Sequence, residues 1–176
     1  MTLINKIIMA VICFTLIIPL GTHAAVYSDI DENPNAAQIK ILTDFGIFEP
    51  DADGKFNPDS VLTRAEFCQV LVKLLGLTVD QKAKMDSVFG DLPPGHWDTN
   101  NVMTLYNSGF IAGINGNFMP DDPILFIDAV TTFMKTAGYG FLAEANGGYP
   151  AGYKMAANNA RLLSGVGSIS DNEPVT

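Results

Sequence analysis

A 176-residue chain with a formal net charge of −9, and 10 basic against 19 acidic side chains, makes a poor nucleic-acid binder, because neutralising phosphates takes clustered Lys and Arg. The length suits one compact domain or a short repeat array. Of the two cysteines, Cys13 lies in the N-terminal apolar run, which leaves Cys68 alone beyond it and excludes an internal disulfide.

Residues 1–24 read as a signal peptide. Lys6 gives a weak positive start, and Ile7 to Leu20 is apolar apart from Thr15 and Pro19. Thr22-His23-Ala24 then places small residues at the −3 and −1 positions of a cleavage site. The run is short of the roughly 20 residues of a membrane span, and an uncleaved anchor is the alternative. Ile12 before Cys13 argues against a lipidation site. Nothing beyond residue 24 is long and apolar enough to cross a bilayer, so no membrane contact is expected after cleavage.

Beyond that leader the chain repeats. Val26-Tyr27-Ser28-Asp29-Ile30 returns 62 positions later as Val88-Phe89-Gly90-Asp91-Leu92. Gly54, Phe56, Pro58 and Asp59 return as Gly116, Phe118, Pro120 and Asp121. A fixed period turns one fold problem into a stacked-unit problem. The units are 25–79 and 80–138, a partial third at 139–167, and a polar tail at 168–176 expected to be disordered. Lys82, Lys84, Asp80 and Asp86 mark 78–87 as a linker, and the glycine-rich stretch 138–148 as a second joint.

Helical periodicity predicts helices near 35–45, 63–76, 98–108, 125–137 and 153–163. Gly46 and Gly109 mark helix ends. Thr63-x-x-Glu66 is a capping-box pattern: Thr63 can accept from the amide of Glu66, while Glu66 reaches back. Leu125 stands where the second repeat's cap should be, so that helix should fray or lean on Asp122-Pro123. Gly54 and Gly116 serve tight turns. The third unit shows only a first helix and reads as a stub.

Chemistry is sparse. An EF-hand starting at Asp51 needs glycine at its sixth position and glutamate at its twelfth, but Phe56 and Leu62 stand there. No Gly-x-Ser-x-Gly elbow and no lysine-bearing phosphate loop occur. No metal ligand set, cofactor or enzyme activity is expected. Cys68, among Phe67, Val70 and Leu71, reads as a buried small hydrophobe.

Several motifs carry a family resemblance: Tyr27-x-Asp29 and Phe89-x-Asp91, His96-Trp97, Gly109-Phe110-Ile111-Ala112-Gly113, and Gly54-x-Phe56-x-Pro58 running into Leu62-Thr63-Arg64-Ala65-Glu66. The chain resembles a set of S-layer homology repeats, the bacterial cell-wall anchoring module, over roughly residues 27–166. The resemblance implies a mostly α fold of repeated helix-turn-helix units around a pseudo-threefold axis. It also implies non-covalent binding of an anionic, often pyruvylated, secondary cell-wall polysaccharide in grooves between repeats.

On that resemblance the candidate ligand-binding residues are Arg64, Trp97, Asp29 and Asp91. Arg64 matches the family's ligand-carboxylate contact, and a guanidinium fork suits a carboxylate. Trp97 matches an aromatic near the groove; inter-repeat packing is its alternative. For Asp29 and Asp91, capping the first helix or its preceding turn is the simpler role. Thr63, Glu66, Gly54 and Gly116 are structural. Phe126 replaces the second arginine and Asp128 the glutamate, so groove two should have lost its anion contact, and restoring an arginine at 126 should re-arm it.

The expected protein is a secreted, non-enzymatic polysaccharide binder of the cell surface. Its rival is a structural or assembly subunit that self-associates through unpaired faces. The front end of a longer anchored protein is the third reading.

Overall fold

The structure is a computed structural model that describes residues 27–81 and 84–176. The expected signal peptide lies outside them. Among the described residues six helices follow in order: α1 (Ala36–Asp44), α2 (Arg64–Leu74), α3 (Thr99–Asn107), α4 (Phe126–Thr136), α5 (Gly140–Ala145) and α6 (Ala151–Asn159). Among the described residues, β pairing is confined to isolated bridges. The protein is mostly α, built from repeated units.

Each long helix packs against the first helix of the following unit rather than its own. Phe67, Cys68 and Leu71 of α2 share a core with Val102 and Leu105 of α3, closed by Leu92 and Phe118. Phe126, Val130 and Met134 of α4 likewise bury against Tyr153, Ala156 and Ala157 of α6. A smaller core of Tyr27, Ile30 and Ile39 anchors α1. The rings of Phe67 and Phe133 meet edge-to-face at 5.5 Å and join α2 to α4.

The units meet in a closed ring of three backbone hydrogen bonds. The Leu62 amide donates to the Val175 carbonyl, the Val175 amide to Ile124, and the Ile124 amide to Leu62. Leu62 and Ile124 are equivalent in the 62-residue repeat, so Val175 is the third equivalent. The bridge Thr63↔Pro123 is likewise repeated by Leu125↔Pro174. The ring joins equivalent positions of the first two units to the C-terminal segment. Asp171 to Val175, in the stretch expected to be a disordered tail after a stub, hydrogen-bond to the first two units here.

Helix starts explain why the tail docks. The first amides of a helix have no partner inside it. In α2 the capping box is formed in full between Thr63 and Glu66. The next unit adds acceptors, because Arg64 and Ala65 donate their amides to the carbonyls of Asp122 and Pro120. Leu125 gives α4 no side-chain cap. Phe126 and Ile127 donate to the carbonyls of Glu173 and Asp171 instead. The expectation that α4 would fray or lean on Asp122-Pro123 is therefore wrong: its own preceding loop serves α2, and the tail serves α4. Lys154 of α6 pins that tail through an ion pair with Asp171.

The stretch 138–148, read as a joint, contains α5. A side chain at Gly152 would meet the carbonyl oxygen of Ala143 at 2.1 Å, so glycine there lets α6 lie against α5.

Candidate functional site

Arg64 and Trp97 line different clefts between the units. The first, of about 270 Å³, is lined by Arg64, Phe118, Asp128, Lys135, Glu144 and Tyr149, among others. The second, of about 440 Å³, is lined by Trp97 with Gln69, Lys73, Gln81 and Asn101 over Val72, Leu77 and Val79. Arg64 and Trp97, both read as candidate ligand contacts, thus do not share a cleft.

Arg64 opens α2 and crosses into the second unit. Its Nε donates to the Phe118 carbonyl at 2.9 Å, and its Nη2 to the Ala112 carbonyl at 3.2 Å. The guanidinium carbon lies 4.8 Å from the centroid of the Phe118 ring, within cation–π range. Nη1 stands 4.0 Å from Asp128 Oδ2, and the side chain is 12% exposed. The arginine is thus a cross-link between units as well as a lining group. A ligand carboxylate reaching Nη1 would compete with Asp128.

Carboxylates temper the positive charge of this cleft. Tyr149 donates its hydroxyl to Asp128 Oδ1 at 3.1 Å, and Tyr153 donates to Glu144 Oε1 at 2.9 Å. Burial first, then those acceptors, raises both phenols, Tyr153 to about 12. Both stay neutral donors over ordinary pH. The lining therefore offers two cations, two carboxylates and tyrosine hydroxyls, a polar surface suited to a hydroxyl-rich ligand. At the turn of its wall, a side chain on Gly113 would strike the Asn117 carbonyl and the Phe89 ring, each at 2.4 Å.

Asp29 and Asp91 reach neither cleft. Asp29 accepts the amides of Phe56 and Asn57 at 2.9 and 2.7 Å. Asp91 accepts those of Phe118 and Met119 at 2.8 and 2.7 Å. Each carboxylate therefore fixes the turn that leads into its unit's long helix, not the first helix or the turn before it. The amide of Phe56 is the main reason the Asp29 carboxyl lies below its ordinary range. Partial burial pushes Asp91 up, and the Phe118 and Met119 amides outweigh it. Within the turns, Gly54 and Gly116 have φ of 75° and 80°, the left-handed region that only glycine enters freely.

Phe126, at the Arg64 position of the second unit, is buried among Val130, Met134 and Tyr153. The second groove is filled by packing at that point. Cys68 is buried, as its neighbours indicated, and burial raises its thiol far above the ordinary range.

Sequence reasoning missed Asp98. It is fully buried, its Oδ1 accepts from Asn101 Nδ2 at 2.6 Å, and its Oδ2 has no partner. Burial lifts its carboxyl to about 7, against the opposing pull of Asn101. Nothing local in His96-Trp97-Asp98 advertises a buried acid. Only the tertiary packing of α3 against α2 creates it.

The family model for the S-layer homology domain matches residues 26–68 and 88–130, the two units that carry Asp29 and Asp91 at their openings. The chain is an S-layer homology domain protein. It is 27% identical over 171 residues to a cell surface protein of Thermoanaerobacter kivui, covering 93% of this chain and 22% of that protein. It is 30% identical over 123 residues to a cellulosome-anchoring protein of Acetivibrio thermocellus, covering 68% of this chain and 27% of that protein. An amylopullulanase of Thermoanaerobacterium thermosulfurigenes is 30% identical over 145 residues, 82% of this chain and 7% of that protein. The S-layer homology protein thus spans less than a third of the length of these relatives. No helix among the described residues is long and apolar enough to cross a membrane.

Proposed function

We propose that the protein is a non-catalytic cell-surface anchor that binds a carboxylate-bearing secondary wall polysaccharide at the Arg64 cleft. The observation that carries this reading is the placement of a held guanidinium at the wall of a concave site, lined by the two S-layer homology units and by Tyr149 and Tyr153 beyond them. Charge-assisted hydrogen bonds to a carboxylate are among the stronger polar contacts available. The names of relatives from bacterial cell surfaces support the location, and the anchoring role named for the Acetivibrio protein supports the activity. The reading includes a cleaved signal peptide at 1–24 and a polymer whose acid groups are pyruvyl substituents.

Asp128 gives the test its sign. Asp128→Asn removes the anion that competes for Nη1, so affinity for wall polymer should rise and its salt dependence should steepen. Unchanged binding in that variant would count against the Arg64 cleft. The surface-assembly reading has one observation of its own: Phe141 and Phe45 are 89% and 78% exposed. Analytical ultracentrifugation that found a defined dimer or trimer without wall binding would favour it.

A further inference from the structure

We propose that Asp91 is a positioning residue for Arg64, acting through a single peptide group rather than on any ligand. Its effect on binding rests on the wall-anchor reading, while the contact itself stands apart from it. The peptide that joins Phe118 to Met119 is held on both sides. Its N–H, on Met119, donates to Asp91 Oδ2 at 2.7 Å, and its carbonyl, on Phe118, accepts from Arg64 Nε at 2.9 Å. The amide of Phe118 itself donates to Asp91 Oδ1 at 2.8 Å. A carboxylate on the N–H side polarises the peptide and makes its carbonyl a better acceptor, so the two bonds strengthen each other. The coupling is also felt in reverse. Burial pushes the Asp91 carboxyl up, the Phe118 and Met119 amides pull it below its ordinary range, and the Arg64 charge adds to that pull.

What the relay fixes is the direction of the guanidinium fork. Nε and Nη2 both donate to carbonyls of the second unit, which leaves Nη1 beside Asp128 Oδ2 at 4.0 Å. A carboxylate reads the plane and angle of that fork, so its orientation matters as much as its charge. Asp91 is itself exposed, and water screens its direct attraction for Arg64, so it contributes geometry. Its repeat-mate Asp29 makes the same two bonds, to Phe56 and Asn57. There the Phe56 ring meets Tyr27 and Phe48, whereas the Phe118 ring carries the Arg64 guanidinium. Both aspartates fix a turn, and Asp91 also aims an arginine.

The chain has two arginines, Arg64 and the exposed Arg161. Their Nε–H signals in a nitrogen–proton NMR spectrum of the full chain are therefore assigned by Arg161→Lys. Solvent exchange of the Arg64 Nε–H reads the Phe118 contact directly. Asp91→Asn keeps the side-chain shape but turns one acceptor into a donor. It should speed that exchange severalfold and weaken sedimentation with wall sacculi roughly two- to tenfold, the worth of one ordinary hydrogen bond. Asp91→Ser, whose hydroxyl still accepts one amide, carries the same expectation if Asp91→Asn does not fold. Asp29→Asn makes the same change in the first unit and should leave the Arg64 exchange as it is. Unchanged exchange in the Asp91 variants overturns the proposal, and so does equal acceleration by Asp29→Asn. Sedimentation of the Asp91 variants as tight as the parent's overturns it as well. If the exchange responds as expected and the parent does not sediment with sacculi, the anchor reading fails and the positioning stands.

Discussion

Arg64 of the first unit donates its Nε–H to the carbonyl of Phe118 in the second and lays its guanidinium against that residue's ring. One side chain therefore ties two units together and lines the cleft between them. Arg64→Ala removes both effects at once, so loss of binding in that variant would carry a folding component. The balance of the competing contacts at Arg64 is the better lever.

Phe126→Arg should destabilise the protein rather than create a second anion site. Phe126 is buried between α4 and α6, and a buried charge without a partner costs about 3–5 kcal/mol. Urea denaturation should show an unfolding free energy lowered by that amount, with the midpoint moved to lower urea. A stable variant with raised wall affinity would mean that the second groove is open after all.

The tail should act as a cap. Deleting 169–176 removes the acceptors of Phe126 and Ile127 and opens the ring at Val175. Four hydrogen bonds are lost, from Phe126, Ile127, Leu62 and Val175, and at about 1 kcal/mol each the loss should reach roughly 4 kcal/mol. Hydrogen exchange at Phe126 and Ile127 should accelerate most, while Arg64 and Ala65, capped from 120–122, should keep their protection. Uniform acceleration would contradict this.

Met119 holds a left-handed backbone with φ of 57°, where the first unit places Asn57 at 56°. Asparagine tolerates that region and methionine does not. Met119→Asn should stabilise the fold by about 0.5–1 kcal/mol, read as a raised melting temperature. A fall in stability would show that the half-buried Met119 side chain contributes more packing than its backbone loses.

Asp98 should make stability fall as pH rises. Its carboxyl is lifted to about 7 in the fold from an ordinary 3.8, so the folded state holds a proton that the unfolded chain releases. That contribution is fully present below about 4 and is lost as pH climbs to about 7. Asp98→Asn should flatten the slope between those values in denaturation measured across pH. An unchanged slope would assign the dependence to another group.

Much of this was legible in the residues. The 62-residue period and the 3.6-residue stripes locate five of the six helices to within a few positions, because amphipathic burial dictates both. The Thr63–Glu66 cap was readable because it is local. The role of 171–175 was not, since Asn172-Glu173-Pro174-Val175 echoes Asp121-Asp122-Pro123-Ile124 but lies 51 rather than 62 positions on, off the period. Carbonyls do the capping there, and carbonyls leave no trace in composition. Asp29 and Asp91 were found as a repeated pair, yet their partners lie 27 and 28 residues ahead, beyond any local rule. The separation of Arg64 from Trp97 follows from helix packing between units, which spacing alone does not encode.

The most direct test of the wall-anchor account is co-sedimentation of the protein with purified sacculi, before and after the carboxylate-bearing secondary polymer is stripped. Parent and Asp128→Asn should pellet with intact sacculi, the variant more tightly, and both should stay soluble with stripped ones. Arg64→Lys should bind more weakly, since an ammonium lacks the planar fork. Equal pelleting with stripped and intact sacculi would contradict the account, and so would failure of the parent to pellet at all.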